Sequence, residues 1–272
     1  MLEEHINNIK VKGFTLIKNV FDSETCDQAK NLSKKLIRDI SNKIDYNDRG
    51  ASNSPLSDKS QEKVLNNLQN KDYFYFNFIS NKVICDTIKL FLQEGSYENK
   101  EPFHLTKSQV RCLKPYAKKQ QLHIDGNLPG RGGYALVMVA IVMLDDFTEE
   151  NGPTRVVPKS HLRDQYAEND KTYPDEITIT GKAGDLIIIN SATWHGSAEN
   201  ITDKERWSIN LGYARWFIKP SFDIARSLNR DIYDKMNDFE KDLLGLKTVP
   251  PIDEFQRLTR KSLNDFLPWD QS

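Results

Sequence analysis

From His104 onward the chain is a series of seven short β-prone runs, each closed by a turn signal, and this texture limits the fold more than anything else in the sequence. The runs are His104–Leu113, Gln120–Ile124, Tyr134–Leu144, Thr154–Val157, Glu176–Thr180, Asp185–Asn190 and Trp207–Phe217. Asn151-Gly152-Pro153, Gly181 with Gly184, and Asn200–Lys204 separate them. Spacing of this kind, with Gly, Pro and Asn between strands, predicts an antiparallel sandwich or jelly roll. The longest apolar run, the eleven residues Tyr134–Leu144, is too short to cross a bilayer. Its Val, Ile, Leu and Met content suits a buried core strand, although periodicity alone also allows a buried helix.

Helices flank this β region. Gly13–Val20 (GFTLIKNV) reads as a strand, followed by Asp22 or Ser23 as N-cap and an amphipathic helix over Cys26–Ile40. Asn47–Glu62 is dense in Asn, Asp and Ser, so it predicts a surface loop, either a lid or a plain connector. The tail after Pro220 turns helical, most clearly over Phe222–Leu244, before a Pro-rich end. The first ten residues, MLEEHINNIK, lack the pattern of a secretory signal. Charge excludes more: 38 Lys plus Arg against 39 Asp plus Glu gives no basic field for nucleic acid or an anionic membrane. Three distant cysteines, Cys26, Cys85 and Cys112, make neither a disulfide framework nor a zinc site, and point to a cytoplasmic protein.

Chemistry begins at His123-Ile124-Asp125. On a strand, residues two apart project to one face, so an imidazole and a carboxylate enter the same space. His195 follows seventy-two positions later, just beyond the apolar run Asp185–Asn190. Two histidines and one carboxylate match the facial triad of non-haem Fe(II), which leaves three coordination positions open. Taken alone, H-x-D is a common tripeptide. Arg206, eleven residues after His195, adds the context that raises it: a guanidinium fork can hold a carboxylate of a 2-oxoacid cosubstrate through two parallel hydrogen bonds. Ser197 would add a hydroxyl to that carboxylate if the segment stays extended.

In order along the chain, GFTLIKNVFD, LHIDG, NGPTRVVPKSH, GDLIIINSATWHGSAEN and then Arg206 make the sequence resemble the phytanoyl-CoA dioxygenase family of Fe(II)- and 2-oxoglutarate-dependent oxygenases. The likeness spans roughly Gly13–Phe217 and is weakest over Asp45–Pro102. It implies a mainly β fold with flanking helices, a double-stranded β-helix (jelly roll) of the cupin type. It implies one domain over residues 1–272, with the β-helix core at about 104–217. It also implies Fe(2+) held by His123, Asp125 and His195, with 2-oxoglutarate and O2 as cosubstrates and Arg206 and Ser197 on the former. Gln121 shares the face of His123 and Asp125 if that strand is regular, and relatives often carry a glutamine just before H-x-D near the cosubstrate, with Gln120 the competing choice. Thr154 is similar to a threonine that some relatives direct at 2-oxoglutarate, though a β-branched residue opening a strand has a structural explanation too. Lys159 stands where the family commonly has glycine, so the loop there bends differently or its backbone is unusual. The resemblance makes His161 structural, and His5 and His104 have no partner spacing. Related halogenases replace the carboxylate with a small residue to admit chloride; Asp125 fills that room, which favours hydroxylation.

The substrate implied is a small molecule. In the loop Gly126–Gly133, Arg131 is available to an anionic group, with Lys118 and Lys119 nearby, or these are solvated residues of a rim. The expectation is hydroxylation of an unactivated C–H bond in a small polar or carboxylate-bearing metabolite. Alternatives are desaturation, epimerisation or ring formation by the same chemistry, or a silent cupin that binds a metal or metabolite.

Overall fold

The computed structural model describes residues 2–41, 61–126, 128–130, 133–251 and 253–255. Its strands are β1 (Phe14–Ile17), β2 (Glu62–Asn66), β3 (Phe103–Leu113), β4 (Val137–Met143), β5 (Thr154–Val156), β6 (Ile177–Ile179), β7 (Leu186–Asn190), β8 (His195–Ser197) and β9 (Arg206–Arg215). They form a six-stranded sheet in the order β1-β7-β4-β9-β3-β2 and a three-stranded sheet in the order β6-β5-β8, antiparallel at every pairing. The helices are α1 (Leu2–Lys12), α2 (Ser23–Ser41), α3 (Phe76–Ile79), α4 (Lys82–Leu92), α5 (Ile224–Ser227), α6 (Arg230–Tyr233) and α7 (Asp238–Leu243).

The run Tyr134–Leu144 has no polar face because both faces of β4 are covered. Val139, Ile141 and Met143 pack between the sheets with Phe14, Phe147, Val156, Ile179, Ile187 and Ile189. Met138, Ala140, Val142 and Leu144 pack on the other side with Leu186, Ile188 and the residues of α2 and α4. Each fully buried aliphatic side chain contributes roughly 1.5–3 kcal/mol, so these central strands carry much of the stability. The result is the expected jelly roll with helices on the outer face of its large sheet. No helix among the described residues is long and apolar enough to cross a membrane.

The strands β3 and β9 are two-faced. Ile209, Leu211 and Tyr213 of β9 and Val110 and Cys112 of β3 face the helices. Arg206, Ser208 and Asn210 alternate with them and face the small sheet, as do Gln109 and Arg111 opposite. A register shift between Leu105 and Lys107 breaks the alternation, so Leu105 lies in the helix-side core while Lys107 turns to the small-sheet side.

One expectation is corrected. Gln120–Ile124 does not form a strand: it contributes one isolated bridge, His123 with His195. The tail over Phe222–Leu244 is helical as expected, in three short helices, because Asp223, Asn229 and Asn237 each cap a new start with a side-chain oxygen. Of the loop Asn47–Glu62, residues 47–60 lie outside the described residues, and Glu62 opens β2. The long helix does begin at Ser23, with Asp22 Oδ1 accepting from the Thr25 N–H at 2.6 Å. Lys159 keeps the left-handed backbone that glycine favours, with φ of 64°.

Candidate active site

His123 and His195 are brought together by the backbone before any side chain acts. Each donates its N–H to the other's carbonyl, at 2.9 and 3.0 Å, so the two residues sit directly opposite across one antiparallel bridge. Asp125 is held by its own N–H, which donates to the Ser191 carbonyl at 3.0 Å. That bond ties it to the turn after β7.

The imidazoles are then fixed in the same way. His123 Nδ1 lies 3.1 Å from the Gln121 carbonyl and His195 Nδ1 lies 2.9 Å from the Thr193 carbonyl. A carbonyl only accepts, so both Nδ1 atoms carry the proton and both Nε2 atoms present lone pairs. Those lone pairs converge on one carboxylate: Nε2 of His123 is 3.7 Å from Asp125 Oδ1, and Nε2 of His195 is 3.8 Å from Oδ2. One ligand atom from each of the three residues lies within 4.8 Å of the others. Two neutral nitrogen donors and a carboxylate oxygen, oriented by carbonyls behind them, suit a divalent transition metal.

Electrostatics keep His123 and Asp125 in their binding forms. Burial, reinforced by neighbouring His195, brings the His123 imidazole down to about 3. Burial alone would raise Asp125; Lys107 and the two histidines overcome it and hold the carboxyl well below its ordinary range. The Lys107 ammonium donates to Asp125 Oδ2 at 3.0 Å.

Arg206 opens β9 and is 6% exposed. Its Nη2 donates to the Gly152 carbonyl at 2.8 Å and its Nη1 to Ser208 Oγ at 3.3 Å, while Nε has no partner among the described residues. Its Cζ stands 4.3 Å from the centre of the Phe147 ring. Burial, with Arg111 next in effect, lowers the guanidinium to about 10. Arg111 already has its carboxylate, since Glu62 takes its Nε and Nη2 at 2.9 and 2.6 Å. Arg206 has no carboxylate partner among the described residues, so this is a desolvated cation short of an anion.

Thr154 and Ser197 are direct partners across β5 and β8, two residues along from the Val156–His195 pair. Val156 belongs to the inter-sheet core, so both hydroxyls share that inner side with His195. Gly152, whose carbonyl holds Arg206, lies two residues before Thr154. Beside Asp125 a cavity of about 360 Å³ opens, with Gly126, Tyr134, Asn190 and Ser191 among its lining residues.

Gln121 is not delivered there. Both carboxamide atoms of Gln121 engage Asp170, at 2.6 and 3.1 Å, on the surface. The single bridge at His123 does not impose a strand's alternation on its neighbours, which is why the same-face expectation for Gln121 fails. Gln120 instead meets Ser197, whose N–H donates to its Oε1 at 3.4 Å. Arg131 lies outside the described residues. His161 and His104 are buried against the carbonyls of Lys10 and Ile218, at 3.1 and 2.7 Å, and His5 meets Thr15 Oγ1 at 2.8 Å. Sequence reading missed Lys107 and the Arg111–Glu62 pair. The signal was the alternation Lys107, Gln109, Arg111, a polar face on a strand set deep in the β region.

Comparison with known proteins agrees with this geometry. The dioxygenase trt7 of Aspergillus terreus is 30% identical over 152 residues, 53% of this chain and 52% of that protein. The dioxygenase FUM3 of Gibberella moniliformis is 36% identical over 114 residues, 39% of this chain and 37% of that protein. An uncharacterised protein of Mycobacterium tuberculosis, Rv1501, is 29% identical over 133 residues, 48% of this chain and 49% of that one. The chain thus spans about half the length of the curated relatives it matches. Among solved structures, HygX of Streptomyces hygroscopicus with nickel and 2-oxoglutarate bound superposes with a TM-score of 0.60 at 15% identity, covering 79% of this chain and 88% of that one. The epimerase SnoN with Fe3+, alpha-ketoglutarate and nogalamycin RO gives 0.59 at 18% identity, covering 81% and 86%. Both show the fold. The model of the phytanoyl-CoA dioxygenase family, whose members use Fe(II), 2-oxoglutarate and O2, matches residues 9–208. Since that match covers most of the sequence, the chain belongs to the phytanoyl-CoA dioxygenase family.

Proposed function

We propose that this protein is an Fe(II)- and 2-oxoglutarate-dependent dioxygenase that hydroxylates an unactivated C–H bond of a small polar or carboxylate-bearing metabolite. His123, Asp125 and His195 would hold the iron, and Arg206, with Thr154 and Ser197, the distal carboxylate of 2-oxoglutarate. The observation that carries this reading is the pairing of the two features: a His-Asp-His cluster with lone pairs directed inward, and a buried Arg206 with no carboxylate partner among the described residues, on the same side of the sandwich. Iron and 2-oxoglutarate together would supply the oxidation, with O2 divided between succinate and the hydroxylated product and one carbon released as CO2.

This chain's residues supply position and field. The Thr193 and Gln121 carbonyls hold the two imidazoles in the tautomer that binds metal. Phe147 and Val156 keep water from the Arg206 guanidinium and the floor beneath His195, which strengthens any charge pair formed there. We further take residues 1–272 as one oxygenase domain. The free, buried thiols of Cys26, Cys85 and Cys112 support a cytoplasmic setting.

The test is anaerobic addition of Fe(II) and 2-oxoglutarate. A visible charge-transfer band is expected in the wild type; His195→Ala should lose metal, and Arg206→Ala should retain metal but bind 2-oxoglutarate weakly. A wild type that takes up neither metal nor cosubstrate, and forms no succinate with any candidate metabolite, would remove the reading. Oxygen-18 incorporation into product separates hydroxylation from desaturation, epimerisation or ring closure.

A further inference from the structure

The two oxygens of Asp125 have different surroundings. Oδ1 faces His123 Nε2 at 3.7 Å with no hydrogen bond among the described residues. Oδ2 faces His195 Nε2 at 3.8 Å and also receives the Lys107 ammonium at 3.0 Å. Lys107 and Asp125 are 22% and 21% exposed, so this ion pair is largely shielded from solvent.

Two features of the backbone bring the lysine there. The bulge at Leu105/Lys107 turns it out of the helix-side core. Its strand partner is Gly212, where a Cβ would stand 3.3 Å from Lys107 Cβ and 3.7 Å from Cε. Glycine at 212 therefore lets the aliphatic stem lie along β9 toward Asp125. Lys107 has no other hydrogen-bond partner among the described residues.

A carboxylate next to a divalent ion coordinates through one oxygen or through both. Coordination through both would fill one of the three positions that a His-Asp-His triad leaves for a chelating cosubstrate and O2. We propose that Lys107 is a positioning residue that reserves Oδ2, so that Asp125 offers the metal Oδ1 alone. This rests on the iron reading above and adds to it a residue outside the triad. The ammonium has a second effect, because a cation so near the centre repels a dication and weakens metal binding. Removing it should move two affinities in opposite directions. Metal binds more tightly, through two oxygens and without the repulsion, while 2-oxoglutarate binds more weakly, because a position it needs is filled.

The experiment compares wild type with Lys107→Met, Lys107→Gln and Lys107→Arg by calorimetry, first with Ni(II) alone and then with 2-oxoglutarate on the Ni(II)-loaded protein. The neutral variants should bind Ni(II) about fivefold more tightly or better, and 2-oxoglutarate about tenfold more weakly or worse. Lys107→Arg, which retains the cation, should stay near wild type in both. Nickel X-ray absorption should report one additional oxygen ligand in Lys107→Met before the cosubstrate is added. Two neutral substitutions are used so that a folding defect in one leaves the other to decide. Parallel weakening of both ligands would mean a merely structural lysine and overturn the proposal, as would unchanged affinities or an unchanged oxygen count. A wild type that binds no Ni(II) overturns the iron reading itself, an outcome distinct from any failure confined to the variants.

Discussion

A guanidinium 6% exposed, with Phe147 against its face and its Nε without a partner among the described residues, is costly to bury unless an anion completes it. A lysine at 206 would keep the charge but lose the planar fork that meets a carboxylate with two parallel bonds. Arg206→Lys is therefore expected to weaken 2-oxoglutarate binding to the Ni(II)-loaded protein by about tenfold or more, roughly 1.4 kcal/mol, with metal affinity nearly unchanged. Equal loss of both in calorimetry would place the residue in the scaffold and not at the cosubstrate. Acid acts on the neighbouring histidines. His123 is brought down to about 3 by burial, and burial lowers His104 and His161 as well, so each holds fewer protons folded than unfolded. Their contribution is complete above the unfolded imidazole value of about 6.5, and is lost as pH falls through the lowered folded values. Urea midpoints of the metal-free protein should decline steadily from pH 7 to pH 4.5, and a flat profile would contradict the neutral, buried imidazoles. The triad and Arg206 were readable in the sequence because donor type and order define them. Lys107 was missed: the alternation Lys107, Gln109, Arg111 marks a polar face, but in a regular strand that face is shared with Leu105, and only the bulge sends Lys107 to Asp125. Gln121 failed for the complementary reason, since same-face reasoning needs a strand and His123 sits on a single bridge.

At the level of elements, the central strands were legible because burial on both faces leaves an unbroken apolar run, whereas short strands and interrupted helices depend on partners far away in sequence. β2 pairs only with β3, and its residues Glu62–Asn66 carry two charges and an asparagine, so nothing local announces it. The tail shows the competition within one segment. Phe222–Leu244 reads as helical in the sequence, but Asn229 and Asn237 divide it, each satisfying the amides of a new first turn better than it would serve a helix interior. At α7 the Asn237–Glu240 capping box is complete, and the same buried Glu240 carboxylate accepts from Tyr73 Oη at 3.1 Å and Ser80 Oγ at 3.0 Å. Glu240 thereby joins the C-terminal helices to the segment before α4. Glu240→Ala removes the box and leaves two hydroxyls seeking partners, so it should cost about 1–3 kcal/mol in urea denaturation with little change in Ni(II) affinity. A variant as stable as wild type would show that α7 is held by its apolar contacts alone.

For the whole molecule, the decisive asymmetry is between the two sheets. The large sheet holds β4 and β7, whose alternate residues enter apolar cores on both sides. The small sheet consists of three strands of three residues each, yet it carries His195, Ser197 and Thr154. Its position relies on ties made by Arg155, which donates from Nε to the Ser197 carbonyl at 3.2 Å, from Nη2 to the Gln120 carbonyl, and pairs with Glu176. The small sheet, which carries part of the candidate site, is therefore expected to open more readily, because local opening is drawn from regions of short ladders. A metal bridging His123, Asp125 and His195 would fasten the segment 120–125 and β8 to the turn after β7. Stabilisation by a ligand follows its concentration over Kd, about 2.7 kcal/mol at a hundredfold excess, and it reaches only the openings that break the site. Hydrogen exchange of the metal-free protein should thus show faster exchange in β5, β6, β8 and residues 120–125 than in β4, β7 and β9. Excess Ni(II) should slow the first group, above all β8 and 120–125, and leave the slowest amides of β4 unchanged. Uniform protection across both sheets would mean that the sandwich opens as one unit and that the metal stabilises the whole fold, contrary to a scaffold sheet with a separately secured candidate site.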